Sequence, residues 1–530
     1  MKKYIIALIM VFALVGCEDF LIEEPKGEPT VANFWKTEAD VTSATTALYI
    51  LNNFQGIYGR GIHLYSLIPS DDFVVGKSKT QIQEIKDFAT SGTGSYTRDI
   101  WPMHFIVVKR ANDIIRNIPE MDIAAEVRDF ALGEAYFMRG LAYFQLSVLY
   151  GDDHSGGIPI INETIEDDFF IERPASVTAS YEFAAENFQK AADLLPYFDA
   201  ADTDKLGRPH KNAALGYLAR THLHNAEFDA SSWKKASDAC DLVIVSAKND
   251  LEPNFGDAFK IASNWGPEYL WSVPSNTVGG SMFMGASLEN RAWGKYNGWG
   301  YFAPTLELYE SYESGDERRE ATLLAFGDEF DFFGFTRQYG SVINLTGFQL
   351  KKYLEPYGTA DASHLNPNGD HPSTDLNLPL LRYSHILLMK AEALIMQFGN
   401  GAGDAEIKLV RERAGLGAIT GATLDDLKAE RRAEFAGELF GRYEDLCRWG
   451  DAIKITGALN GQKHVGLVID EQEGDNKGFP LLSTDFTQIF PTSEVWAPRP
   501  QFDIEIHRIW PIPPNAISTS NGTLTQNIGW

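Results

Sequence analysis

The chain has 530 residues, 44% hydrophobic and 22% charged, a globular composition that excludes wholesale disorder. Its formal charge is -27, with no strong basic run after residue 3, which argues against nucleic acid and disfavours polyanionic ligands in the absence of a local basic patch. Aromatic content is high at 12%, enough to leave some of the 11 tryptophans for a surface once a core is filled.

The first residues read as an export signal. Lys2 and Lys3 are basic, Tyr4 to Val15 is an apolar run too short to span a bilayer, and Leu14-Val15-Gly16-Cys17 follows at once. The pattern is that of a bacterial lipoprotein: residues 1–16 are removed and Cys17 carries the lipid. The plainer alternative is a secretory signal with a chance cysteine, but Cys17 sits where cleavage is needed. Removing residues 1–16 takes away two lysines and no acid, so the formal charge moves from -27 to -29. No later segment has the roughly eighteen continuous apolar residues of a membrane helix. Residues 17–33, acidic and proline-containing, read as a tether. Cys240 and Cys447 remain, both in helical patterns, either paired or as two buried thiols.

Helical periodicity begins near Phe34, and residues 34–250 form a helical N-terminal region. A helix is expected from His104 to Ile118, with Trp101 just before it after the loop SGTGSYT. From Glu126 to Tyr150, one stripe of small residues and one of bulky residues predict a helix buried on two sides. Further helices are expected over Tyr181–Leu195, Lys211–Ala226 and Trp233–Val245. The last two form a hairpin of about 34 residues with the length and alanine-rich texture of a tetratricopeptide-type repeat, a unit that buries its faces only by stacking.

Residues 251–375 lose the helical period and crowd Gly, Asn, Pro and aromatics together, as a functional loop region does. Residues 376–530 return to helices, at Leu380–Phe398, Ala405–Arg413 and Leu424–Leu439, the last opened by a capping box at Thr423-Leu-Asp-Asp426. Ile504 to Pro514 reads as extended. The fold class is therefore mostly α: a helix-pair scaffold with a loop-rich, partly irregular region.

Most chemical motifs fail. There is no Walker sequence, no Gly-x-Ser-x-Gly and no His-Glu-x-x-His. His222 and His224 lie two apart on a helix and point in different directions, so they do not share a metal; one packs and one faces solvent. Asp202-Thr-Asp204 starts like a calcium loop but lacks the later ligands. No cofactor, metal or catalytic set is expected. The stretch Arg431-Arg432 to Arg448, dense in alternating charge, reads as a structural network linking two helices rather than as a catalytic centre.

The binding expectation falls on Trp293, Tyr296, Trp299 and Tyr301, set among Gly294, Asn297, Gly298 and Gly300. Glycine-rich backbone displays rings, and ring faces stack on the apolar faces of sugars. The alternative is that the rings pack as a local core for the loop. Trp101 and Asp72 are weaker candidates: packing at the start of a helix competes with ligand contact at Trp101, and a structural turn competes with it at Asp72.

Several segments resemble the SusD/RagB family of nutrient-uptake lipoproteins. They are CEDFLIEEP from Cys17, GEAYFMRGLAYFQLSVLYGD (133–152), GRPHKNAALGYLARTHL (207–223), LPLLRYSHILLMKAEAL (378–394), ERRAEFAGELFGRYEDLCRWGD (430–451) and RIWPIPPNAISTSNGTLTQNIGW (508–530). SLIPSDDFV, with Asp71 and Asp72, is similar to another recurrent segment. The resemblance implies a SusD-like fold of tetratricopeptide-like helix pairs and a non-catalytic role capturing oligosaccharides or other glycans at the outer face of the outer membrane. It implies a SusC-like TonB-dependent transporter as partner, faced by the helical repeats, with the ligand site on the long loops. Two other functions compete: a scaffold that binds protein or peptide, and a glycoside hydrolase.

Overall fold

Thr37 opens the first described helix, Glu38–Thr46, through a capping box in which Thr37 accepts from the Asp40 amide and Asp40 receives the Thr37 amide. The computed structural model describes residues 34–53, 56–76, 79–165, 170–275, 300–332, 335–339, 346–354, 375–456, 462–465, 492–495 and 499–530. The major helices are α1 (Ile100–Asn117), α2 (Ala125–Tyr150), α3 (Val177–Leu194), α4 (Lys211–Asn225), α5 (Ser232–Val245), α6 (Tyr383–Phe398), α7 (Asp404–Arg413), α8 (Leu424–Phe435) and α9 (Arg442–Arg448). The fold is mostly α, and α1 to α5 pack as consecutive neighbours. Ser176 caps α3 and His210 caps α4 with side-chain acceptors.

The two stripes of α2 are buried almost continuously from Ala131 onward. Its small-residue face admits α3 closely: a Cβ at Gly140 would sit 3.1 Å from the Phe188 ring and 3.2 Å from the Ala184 carbonyl. On the bulky face, Phe137 meets Trp271, Phe188 and Tyr217 edge-on at 4.7–5.8 Å. Each such ring contributes roughly 1.5–3 kcal/mol by its burial.

After α5 the chain leaves the helical stack and returns at α6, which packs on α5 and continues the sequence of neighbours. The excursion is tied at its ends by β2 (Tyr269–Val273) and β8 (Leu378–Arg382), an antiparallel pair. Within it, β3 (Phe302–Pro304) pairs with β1 (Phe73–Val75), β4 (Leu323–Ala325) with β7 (Phe348–Leu350), and β5 (Glu329–Phe332) with β6 (Phe335–Gln338). A further pair, β9 (Gln462–Val465) and β10 (Thr492–Val495), lies in the C-terminal region.

Several boundaries differ from the sequence expectation: α1 begins at Ile100 rather than His104 and so includes Trp101, and α3 begins at Val177 rather than Tyr181. Residues 380–382 belong to strand β8, where Pro379 and pairing with β2 win over the helical period, so α6 begins at Tyr383. Helix α8 stops at Phe435 rather than Leu439, because Ala436 turns to ψ 124°. The turn lets Glu438 reach Arg382 and Lys352, and lets the Leu439 and Phe440 carbonyls accept from Arg220. The stretch 504–514 is not extended throughout: short helices at Ile504–His507 and Pro514–Ser518 flank it, and the Trp510 amide donates to the Leu149 carbonyl at 2.7 Å.

The charge-dense stretch builds a buried network. Arg382 pairs with Glu268, Glu434 and Glu438; Arg413 pairs with Glu434 at 2.5 Å; Arg318 pairs with Glu430 at 2.5 Å and Asp316 at 2.8 Å. Beside it, Asp445 binds Arg431 and Arg448, and Arg448 also meets Glu392. Burial alone would raise the Glu434 carboxyl, but the three guanidinium groups of Arg413, Arg382 and Arg318 hold it well below the usual range. Such networks fix geometry more than they add stability, yet removing one member strands the rest at a cost of about 3–5 kcal/mol. The expected structural role of this stretch is what the structure presents. Cys240 and Cys447 are free buried thiols, and burial pushes Cys447 up to about 12.

Candidate functional site

Strand pairing sets up the site. With Phe73 opposite Pro304 and Val75 opposite Phe302, the chain after β1 crosses the chain entering β3. The Gly76 amide donates to the Tyr301 carbonyl at 3.0 Å. A Cβ at Gly76 would lie 2.5 Å from the Gly300 carbonyl oxygen, so the crossing requires glycine. Tyr301 is thereby fixed at the point where the chain emerges from residues 276–299.

Two further residues join Tyr301. Arg60 precedes the short helix Gly61–Leu67 and lays its guanidinium over the Tyr96 ring, 3.8 Å from the centroid. The Tyr96 and Tyr301 rings lie 6.3 Å apart at 38°. Arg60 and Tyr96 are half-buried, whereas Tyr301 is 4% exposed. Burial and neighbouring Tyr96 raise the Tyr301 phenol, and a hydrogen bond from Arg60 opposes them. The result is a ledge of two phenols and one guanidinium, held by a cation–π contact of order 0.5–2 kcal/mol.

Nearby in the chain, His63 is 1% exposed and 6.4 Å from the Phe302 ring. Neither of its ring nitrogens has a hydrogen-bond partner. Burial pushes it down to about 3, so it is a neutral imidazole under ordinary conditions. The ledge itself offers the half-buried Tyr96 ring together with the Arg60 guanidinium, with Tyr301 buried behind them.

The other expected site residues fare differently. Asp72 is turned inward and fully buried, with its carboxylate on Arg432 at 2.7 Å. Its neighbour Asp71 takes a two-pronged bond from Arg442 at 2.8 Å. Burial raises both carboxyls; Arg432 and Arg442 outweigh it at Asp71, which lies well below its usual range, while Asp72 stays above it. Asp72 thus corrects the expectation of ligand contact: its carboxylate does not reach the surface. It anchors the start of β1, where its carbonyl accepts from the Thr305 amide. Trp101, at 4% exposed, packs between Phe105 at 5.1 Å and Tyr150 at 5.3 Å, a set of rings separate from the ledge.

Trp293, Tyr296, Trp299 and Cys17 lie outside the described residues. Arg60 and Tyr96 escaped the sequence reading. The glycine-rich loop around Tyr96 carries the same display signal as the loop at 294–300. His224 is buried and His222 half-buried. Among the described residues, no group of three or more His, Cys, Asp or Glu side chains is placed to hold a metal, and no helix is long and apolar enough to cross a membrane.

Comparison with known proteins agrees with this architecture. A family model described as the SusD family matches residues 340–530, and one described as starch-binding associating with outer membrane matches 19–223. SusD-like protein P2 of Formosa agariphila is 27% identical across 84% of this chain and 91% of its own. A SusD-like protein of Bacteroides ovatus is 24% identical across 95% and 93%. Among solved structures, surface glycan-binding protein A from Bacteroides thetaiotaomicron in complex with laminarihexaose superimposes with a TM-score of 0.69 at 23% identity, covering 92% of this chain and 99% of that one. A SusD-like carbohydrate binding protein from Bacteroides fragilis gives 0.72 at 20% identity, covering 92% and 98%.

Proposed function

This chain belongs to the SusD/RagB family, and from that premise we propose that it is a lipid-anchored protein of the outer-membrane surface that binds an oligosaccharide and delivers it to a SusC-like TonB-dependent transporter. Cys17 carries the lipid in this reading. The Arg60–Tyr96–Tyr301 ledge is the observation that carries it. The half-buried Tyr96 ring, backed by the buried Tyr301, supplies an apolar face for a sugar ring, and the guanidinium supplies donors for its hydroxyls. Trp293, Tyr296 and Trp299 are assigned as further ligand-stacking rings on the strength of the sequence. Binding without bond cleavage suits a ledge built from an arginine and two tyrosines. A laminarin-binding SusD-like protein and a surface glycan-binding protein in complex with laminarihexaose, both similar in fold, support the same ligand class.

Calorimetry against a panel of oligosaccharides, laminarihexaose included, tests the reading. The intact protein binds one member saturably, chromatography finds no hydrolysis product, and Trp293→Ala or Trp299→Ala weakens binding. Hydrolysis of the bound sugar overturns the non-catalytic role. Intact binding by both variants overturns the assignment of the site. Cys17→Ala is expected to move the protein out of the membrane fraction, and co-purification of the transporter from intact membranes checks the delivery partner.

A further inference from the structure

We propose that the binding surface continues past Tyr96 into a trough along α1 and the C-terminal segment, so that the protein holds a long neutral polysaccharide chain rather than a short oligosaccharide. The inference rests on the glycan reading above and names the ligand's length and charge.

Three depressions adjoin one another. The first, about 660 Å³, is lined by Gly92, Thr93, Arg98, Asp99 and Asn515. The second, about 440 Å³, is lined by Trp101, Phe105, Ile106, Phe170 and Leu524, and shares Pro102, Ala516 and Thr519 with the first. The third, about 390 Å³, is lined by His154, Glu172, Arg173 and Thr525, and shares Thr523 with the second. Each matches a single small-molecule site in size, roughly 300–1,000 Å³, so three in a row exceed what one or two sugar units fill.

The trough joins the ledge through one tight turn. Tyr96 and Arg98 lie two residues apart in a turn closed by the Thr97 and Arg98 amides on the Gly94 carbonyl, at 3.1 and 3.0 Å. Tyr96 does not itself line the first depression, but Arg98, two residues on in the same turn, does, and the proposed chain runs across that turn from one to the other.

The lining selects the occupant. The middle is apolar, with Phe170 45% exposed and Phe105 half-buried. Along its edge, Thr519 and Thr523 donate their hydroxyls to the Asn515 and Ser520 carbonyls at 2.8 Å, which leaves oxygen lone pairs to accept from a ligand. Apolar faces with a hydroxyl-accepting edge match a pyranose ring, which is apolar on its faces and hydroxylated around its rim. In the first two depressions the charges are matched: Arg98 lies 3.8 Å from Asp99, and Lys109 2.9 Å from Asp113. With a formal charge of -27 on the whole chain, that local neutrality favours an uncharged polymer over a polyanion.

The test measures affinity for laminarin, starch, xylan and galactomannan and for the hexasaccharide of each, with the full protein. The intact protein is expected to bind one polymer about tenfold more tightly than its hexasaccharide, the scale of two ring–sugar contacts. Phe170→Ser, and Phe105→Ala/Phe170→Ser, should abolish that ratio while hexasaccharide affinity and the melting temperature stay near those of the intact protein. Phe170 is exposed enough that its single variant keeps the test informative if the double variant misfolds. Equal affinity of the intact protein for polymer and hexasaccharide overturns the trough, and so does an unchanged ratio in a folded Phe170→Ser protein. If no polymer or hexasaccharide binds at all, the glycan reading itself fails; that result is distinct from hexasaccharide binding without a length preference.

Discussion

The two halves of the molecule use arginine in opposite ways. In the network around α8, Arg318, Arg382 and Arg413 are almost fully buried, and carboxylates surround each of them. At the ledge, Arg60 is half-buried and lies against a ring. The first arrangement spends its hydrogen bonds inside the protein and fixes where strands and helices meet. The second leaves ring surface and polar groups together near solvent. The region richest in motif-like charge is therefore scaffold, and the sparser glycine-rich loops hold the surface suited to a ligand.

Breaking the network separates the two roles most sharply. Glu434→Ala leaves three guanidinium groups short of a partner and is expected to cost about 3–5 kcal/mol of stability, read from urea unfolding midpoints. A Glu434→Ala protein as stable as the parent would remove the structural role from this cluster.

A second probe acts through pH. Glu444 sits beside the network; burial raises its carboxyl to about 7, and Ser66 donates to one of its oxygens at 2.7 Å. The folded protein keeps that proton between about 4.5 and 7, where the unfolded chain has lost it. The contribution is thus full below about 4.5 and is lost as pH rises to about 7, an upper limit of about 3 kcal/mol. Unfolding free energies measured across that window should fall with pH in the parent and lose that component in Glu444→Gln. Superimposable pH profiles for the two proteins would contradict the raised value.

The smallest effect belongs to the ledge. Tyr96→Ala removes the ring under Arg60 and one wall beside Tyr301. It is expected to weaken glycan binding by roughly 0.5–1.5 kcal/mol, the worth of an aromatic contact beyond its area, and to lower urea stability by no more than about 0.5–2 kcal/mol, the worth of the lost contact with Arg60. Calorimetry and unfolding on the same sample decide it. A variant that loses stability but not affinity would move Tyr96 into the scaffold.

Much of the helical architecture is legible along the chain because it is local. The stripes of α2, the Thr423–Asp426 capping box and the hairpin of α4 and α5 depend on residues within a few turns of each other. Departures occur where a distant partner overrides the period. Residues 380–382 join a strand because β2 lies beside them, and α8 ends early because Glu438 has Arg382 and Lys352 to reach. The candidate site is less legible still, since Arg60, Tyr96 and Tyr301 come from three separate segments.

Sequence by itself determined the helical periodicity, the predominance of helix, the signal-like start ending at Cys17 and the family resemblance, since each is written in neighbouring residues. Only the tertiary structure decided what the isolated motifs are for. Asp71 and Asp72 find Arg442 and Arg432 some 371 and 360 positions away, and become a buried anchor instead of a ligand contact. Tyr301 finds Tyr96 and Arg60 because β1 pairs with β3. Period and capping act over a few residues, whereas a salt bridge or a ring contact depends on proximity in space, which a linear pattern does not carry.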